Sequence, residues 1–140
     1  MSRDTMIVIG NELRKTNSAS YIVDSLLAKA LKIGKNSVIE SIRTVGEVES
    51  LQKLSNDFIL IALDADPRVR YGRIHKRGSA TDAVSFEKFL VDEKRESVSE
   101  NPSEQNLPKC IALADYIFSN NSSPDDLFRQ VNKVLQKFSI

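Results

Sequence analysis

Apolar residues along this chain fall into two patterns: helical spacing in some stretches and short unbroken blocks in others. Met6, Ile9 and Leu13 share a helical face behind a possible Asp4 N-cap, so the first segment reads as helix. A buried strand over 6–10, ending at Gly10, is the competing reading, and periodicity alone does not separate them. After the polar break Thr16-Asn17-Ser18, a second helix is marked by Tyr21, Ile22, Leu26, Leu27, Ala30 and Leu31. Gly34 is placed to end it. The β-branched run over 37–42 predicts a short strand, followed by a loop over 43–46 and a helix over 47–54. The apolar run from Phe58 to Leu63 predicts a strand over 57–64 buried on both faces, as parallel strands covered by helices are. Asp66 and Pro67 then open a helix ending near Arg77. Phe86, Phe89 and Leu90 mark another that continues through Arg95. Residues 97–108 are polar and read as a surface loop. A last strand over 116–119 and a helix capped by Ser123, with Leu127, Val131, Val134 and Leu135 on its apolar face, close the pattern. Three short buried strands alternating with helices imply an α/β fold, a three-layer sandwich with a short parallel sheet, in one domain over 1–140.

Composition narrows the partners. Twenty Lys and Arg against nineteen Asp and Glu leave a net charge of +1, so no whole-molecule field draws the chain to nucleic acid or to a membrane. One cysteine, Cys110, and one histidine, His75, exclude an internal disulfide and argue against a cysteine- or histidine-rich metal site. No apolar run reaches the roughly 18–20 residues that span a bilayer, and the N-terminal residues lack a secretory apolar region. The expectation is a soluble cytoplasmic protein without a metal site of its own.

Local charge is another matter. Between Asp66 and Arg77 there are five Arg or Lys and one Asp, and Arg70, Arg73 and Arg77 lie at i, i+3 and i+7 on one helical face beside Lys76. Guanidiniums suit a polyphosphate because their fixed fork gives two parallel hydrogen bonds and they stay charged. A solvated cationic face is the bland alternative. The helix nevertheless begins at the carboxyl end of a predicted parallel strand, where ligands gather in open sheets. Glu40 and Arg43, at and just past the end of the 37–42 segment, form a second candidate pair. There a carboxylate can orient a nucleophile or a metal-bound water and an arginine can hold a phosphate; an ordinary ion pair is the alternative. The phosphate-cradling pattern G-x-x-x-x-G-K-[ST] is absent. Gly34-Lys35-Asn36 imitates its end, but it follows a helix and lacks both the earlier glycine and the hydroxyl residue. His75 has no apparent chemical partner, and Cys110, beside Ile111 near the last strand, reads as a buried structural thiol.

With these residues in place, the order of motifs resembles the P-loop nucleotide kinases, in particular their dephospho-CoA kinase and nucleoside monophosphate kinase-like branch. The stretch from Ile9 to Lys15 is similar to the helix lining the acceptor side. Val38-Ile39-Glu40-Ser41-Ile42-Arg43, followed by Gly46-Glu47-Val48, resembles a family stretch V-x-D-G-I-R-x-x-G-E-V, with Glu40 in place of Asp and Ser41 in place of Gly. The run from Phe58 to Asp64 with Pro67, Arg70, Arg73 and Arg77 resembles the strand and lid-bearing helix. The stretch from Ala114 to Asn120 resembles the last strand.

The resemblance implies ATP and magnesium as cofactors and a nucleotide or another phosphate-bearing small molecule as partner. Glu40, Arg73 and Arg77 would be the catalytic residues. Arg43, Asn11, Arg14 and Arg70 would bind substrate, Asn120 would lie by the adenine, and 78–101 would form a lid-like segment packed by Phe86 and Phe89, with Asp92 and Arg95 near its closing interface. It also implies that the first strand, the phosphate loop and the first helix of such kinases are missing here. In the family strand order 2-3-1-4-5 that strand would lie between 38–42 and 58–64. Those two segments would then pair directly, take Met6–Gly10 between them, or take a strand from a partner chain, which makes a homodimer possible. The expectation is a kinase-like domain that is inactive or very weak by itself. The alternative is a non-catalytic nucleotide-binding or protein-interaction module on the same scaffold.

Overall fold

The structure, a computed structural model, describes residues 3–78, 84–95, 101 and 103–138. Its elements run α1 (Arg3–Thr16), α2 (Tyr21–Ile33), α3 (Val45–Leu54), β1 (Ile61–Asp64), α4 (Pro67–Arg77), α5 (Phe86–Arg95), α6 (Leu107–Ala112), β2 (Tyr116–Ser119) and α7 (Pro124–Leu135), ending in a 3-10 turn (Gln136–Phe138). The chain divides into two compact units, Met1–Phe58 with Val91–Leu113, and Ile59–Leu90 with Ala114–Ile140.

In the first unit α1 is helical through Met6–Gly10, and the strand alternative for that stretch falls. Asp4, expected as the cap, lies inside the first turn. Helix α2 ends at Gly34, whose φ of 65° is the left-handed conformation open to glycine, with its N–H donating to Ala30 and Leu31 carbonyls. Helices α2 and α3 pack on each other. Between them Asp24 accepts hydrogen bonds from the hydroxyls of Ser20 and Ser50, both at 2.7 Å. Val23, Val48 and Leu51 are the buried aliphatic side chains among the unit's described residues.

The start of α3 is built from a capping box. Thr44 Oγ1 accepts from the Glu47 N–H at 3.2 Å, and Glu47 Oε2 accepts from the Thr44 and Arg43 N–H groups at 3.1 and 2.9 Å. The other oxygen, Oε1, takes Arg14 Nε at 3.0 Å and Nη2 at 2.7 Å. Arg14 is 8% exposed and Glu47 1%, so the pair is desolvated and every strong acceptor site of the carboxylate is used. Gly10, one turn before Arg14, has no side chain where a Cβ would come within 3.1 Å of Arg14 Nη1.

The strand expected over 37–42 is not formed. Val38 is 93% exposed, and Ser41 has a φ of 68°, which interrupts any extended run. β-Branched residues favour a strand only when a neighbour pairs with them, and the nearest pairing here is one antiparallel bridge between Thr44 and Gln105. That bridge, with the Asn106 N–H donating to the Arg43 carbonyl at 2.9 Å, leads into α6. This helix replaces the end of the expected loop. The Asn106 side chain accepts from the Lys109 N–H, and Pro108 fits its first turn.

In the second unit the sheet has two parallel strands, not the three expected for a sandwich. Ile61 pairs with Tyr116 and Asp64 with Ser119. The strand predicted over 57–64 is paired only from Ile61. It is not buried on both faces either, since Ile61 is 42% and Leu63 56% exposed. Among the described residues β1 has a strand on one side only, which leaves its alternating apolar side chains partly uncovered. Helix α7 packs on β2, burying Phe118 and Val134, and Tyr116 meets Phe138 edge-on at 5.9 Å. The Asp115 carboxylate accepts from the Leu60 N–H at 2.7 Å, extending the pairing by one side chain where the strand ladder begins. Tyr71 of α4 gathers Phe86 and Phe89 at 5.2 and 5.6 Å, and its hydroxyl donates to the Val84 carbonyl. The expected lid over 78–101 falls partly on 79–83 and 96–100, outside the described residues.

Three outcomes are expected in solution. Arg14→Ala leaves Glu47 charged and buried with only its main-chain donors, and lowers the urea unfolding free energy by about 3 kcal/mol. Ser41→Gly removes the left-handed strain and raises the same quantity by about 1 kcal/mol. Burial, reinforced by the Glu47 carboxylate, pushes the Cys110 thiol up from its ordinary 9.0 to about 11. The unfolded chain therefore loses this proton first as pH rises, so stability is intact below pH 9 and falls between about 9 and 11. Urea midpoints across that range check this, with Cys110→Ser as the variant that flattens the slope.

Candidate functional site

The carboxyl ends of β1 and β2 collect the densest set of side chain to main chain bonds in the second unit. Asp66 caps α4 by accepting from the Arg68 N–H at 2.8 Å, and Pro67 supplies a preset first turn. The helix consequently starts three residues past the end of β1 and carries Arg70 and Arg73 back toward the strand ends. Arg70 Nη1 donates to the Ala65 carbonyl and lies 3.5 Å from the Asp64 carboxylate. Both side chains of that pair are substantially solvated, so the ion pair is loose. Arg73 spans further. Its Nη1 donates to the Asn120 carbonyl at 2.7 Å and its Nη2 to the Ser122 carbonyl at 3.3 Å.

Two amide side chains brace the same turn. Asn121 Oδ1 accepts from the Asp66 N–H at 2.7 Å while its Nδ2 donates to Ser119 Oγ at 3.2 Å. Gln130 of α7 brackets Ser119, accepting from its N–H at 3.0 Å and donating to its carbonyl at 2.9 Å. The Asn120 N–H continues the ladder to the Asp64 carbonyl at 2.7 Å. Both β-to-α connections are therefore tied together, with guanidiniums facing them. Arg77 ends α4 and is exposed, and Gly78 follows in the left-handed conformation at a φ of 67°. Arg68 lies over the Phe86 ring at 5.0 Å.

The residues singled out from the sequence divide between the units. Arg70, Arg73, Arg77 and Asn120 belong to the second, and the structure joins Arg73 directly to Asn120. Asn11, Arg14, Glu40 and Arg43 belong to the first. There Arg14 is engaged by Glu47, Glu40 is exposed and Arg43 is half-buried. Asn11 Oδ1 and Gln105 Oε1 are buried without a hydrogen-bond partner among the described residues. Asn121 and Gln130 were not singled out, although a run of turn-forming residues at 120–123 marks their neighbourhood. Glu47 was also missed as a site-building residue, despite the legible T-x-x-E spacing of a capping box. No group of three His, Cys, Asp or Glu side chains placed to hold a metal ion occurs among the described residues. No helix among them is long and apolar enough to cross a membrane.

No protein-family profile matches the chain. It is 36% identical over 110 residues to a UPF0200 protein of Pyrobaculum aerophilum, covering 78% of this chain and 60% of that protein. It is 30% identical over 122 residues to one of Pyrococcus abyssi, covering 86% and 62%. With one of Methanocaldococcus jannaschii it shares 30% over 128 residues, covering 91% and 59%. The chain thus spans about 60% of the length of these curated relatives. Its homologues are archaeal UPF0200 proteins, related to it at 26–36% identity.

Proposed function

We propose that the second unit binds the phosphate chain of a nucleotide at the carboxyl ends of β1 and β2, as part of a nucleotide kinase-like domain. In its complete form such a domain transfers the γ-phosphate of ATP to a nucleotide or dephospho-CoA-like acceptor. The observation that carries this reading is the placement of Arg70 and Arg73 on one face of α4 with their guanidiniums at the ends of both parallel strands, the position where ligands of open α/β sheets bind. Arg77 lies one helical turn beyond Arg73 on the same face. Asn120, at the end of β2, has its carbonyl occupied by Arg73 and its side chain left for the base.

Two further features support the kinase-like reading. Ser41 adopts a left-handed conformation at the position where the resembling kinase stretch carries glycine, which takes that conformation without cost. Strands β1 and β2 are parallel neighbours, as the last two strands of the order 2-3-1-4-5 are.

Arg43, Asn11 and Glu40, for which the resemblance implies roles on the acceptor side, belong to the first unit. Arg14 reaches an acceptor only by giving up Glu47, so its part is to hold the loop that carries Arg43. Magnesium arrives with the triphosphate, held by the phosphate oxygens. Phosphoryl transfer rests on positioning and charge neutralisation, and the glycine-rich lysine loop that supplies most of both is not among these 140 residues. The chain by itself is therefore a weak nucleotide binder with little or no transferase activity, and the activity of the longer relatives is part of the same proposal. A non-catalytic nucleotide-binding module is the second reading, favoured by the engagement of Arg73 with main-chain carbonyls.

Calorimetric titration with ATP and magnesium tests the site. The expected affinity is weaker than micromolar and falls with added salt, and Arg70→Ala or Arg77→Ala weakens it about threefold to tenfold. A micromolar affinity, or binding indifferent to both substitutions, contradicts the proposal. Transfer from ATP to an added nucleotide acceptor separates the two readings.

A further inference from the structure

Arg73 combines an exposed guanidinium with two acceptors that are poor matches for it. It is a full cation on the surface of α4, yet its partners among the described residues, the carbonyls of Asn120 and Ser122, are neutral. Hydrogen bonds between a guanidinium and an ionised oxygen are roughly twice as strong as those to neutral acceptors. A phosphate also presents two oxygens at the spacing of the guanidinium fork. An anion arriving at the α4 face therefore competes for the same two donor groups that hold the turn.

We propose that Arg73 is an anion-operated latch. In the free protein it clamps the turn over 120–122 to α4. When a phosphate chain binds, the guanidinium turns to it and the turn is let go. The inference rests on the phosphate-binding reading above and adds a consequence of it: occupancy of the α4 face changes the order of a segment 47–49 residues away in sequence.

What is released is bounded by the other bonds. Ser119 stays fixed by Gln130, and the Asn120 N–H by the Asp64 carbonyl. Asn121 retains its side-chain bonds to the Asp66 N–H and to Ser119. Among the described residues the Ser122 carbonyl accepts from Arg73 alone. Beyond it, Ser123 caps α7 by accepting from the Asp126 N–H. Loosening therefore centres on 121–123, between the end of β2 and the first turn of α7, and leaves the β2 pairing in place. Helix α7 is held on β2 by its own packing, so the latch acts on the connection and not on the core.

Backbone nitrogen relaxation by NMR on the full chain reads this directly, with inorganic tripolyphosphate as the probe and sodium chloride at equal ionic strength as the control. The expected result is a fall of the order parameters at 121–123 from the rigid range near 0.85 toward about 0.6 as tripolyphosphate binds. It is accompanied by a shift of the Arg73 side-chain N–H signal, with β2 residues unchanged. In Arg73→Gln the same residues are mobile without ligand, and tripolyphosphate bound through Arg70 and Arg77 changes them no further. Arg73→Lys, which keeps the charge but not the fork, gives the same mobile turn and confirms folding by an otherwise unchanged spectrum.

Calorimetry on the same samples distinguishes the failures. No heat of tripolyphosphate binding overturns the phosphate-binding reading and the latch with it. Binding with 121–123 as rigid as before, or a rigid turn in free Arg73→Gln, overturns the latch alone.

Discussion

Backbone N–H and C=O groups that leave a helix or strand must find another partner or remain wet, and in this chain side chains supply those partners. Glu47 is the clearest case. One carboxylate oxygen takes the N–H groups of Arg43 and Thr44, and the other is held by the Arg14 guanidinium. A buried carboxylate with only main-chain donors would carry a large desolvation penalty, and an arginine buried without it would carry one as well. The Arg43 and Thr44 amides, which lie outside any named strand, are satisfied by this carboxylate.

The second unit meets the same constraint at the strand ends. With four residues in each strand, the ladder is too short to settle the connections on either side. Asp115 caps one end at Leu60; Arg70, Arg73, Asn121 and Gln130 settle the other. Under the phosphate-binding proposal, the groups that would meet the ligand are also the structural ties. A guanidinium that stabilises a turn through carbonyl oxygens is also a guanidinium aimed at the place where an anion approaches an α/β sheet. Competition between the two uses follows from charge: carbonyl oxygens are weaker acceptors for a cation than phosphate oxygens.

Helices were largely legible from the residues because their signals are local. The caps Asp66 and Ser123, the stop at Gly34 and the apolar spacing of α2 and α7 each act within one or two turns. Capping of α3 by Thr44 and Glu47 was equally local and went unread, as was Asn106 at the head of α6. Strands were read less well. The residues over 37–42 have every compositional mark of a strand, yet remain unpaired because pairing depends on a neighbour that the run itself does not contain. The run from Phe58 to Leu63 pairs over only half its length, and its side chains are partly exposed for the same reason. The arginine stripe was visible as spacing, whereas the acceptors of Arg73, in the turn after β2, lie nearly fifty residues on and could not be inferred from α4.

By itself, then, the amino-acid sequence determined most of the helices and the ends marked by Gly34, Asp66 and Ser123, the near-neutral charge with its basic stripe on α4, and the lone buried-type cysteine. These depend on residues within a few positions of one another. Only the tertiary structure decided which apolar runs become strands, that Arg14 is held by Glu47, and that Arg73 donates to the Asn120 and Ser122 carbonyls past the end of β2. Each of those is a contact between segments distant along the chain, formed where a main-chain group or a buried charge lacked a partner nearby.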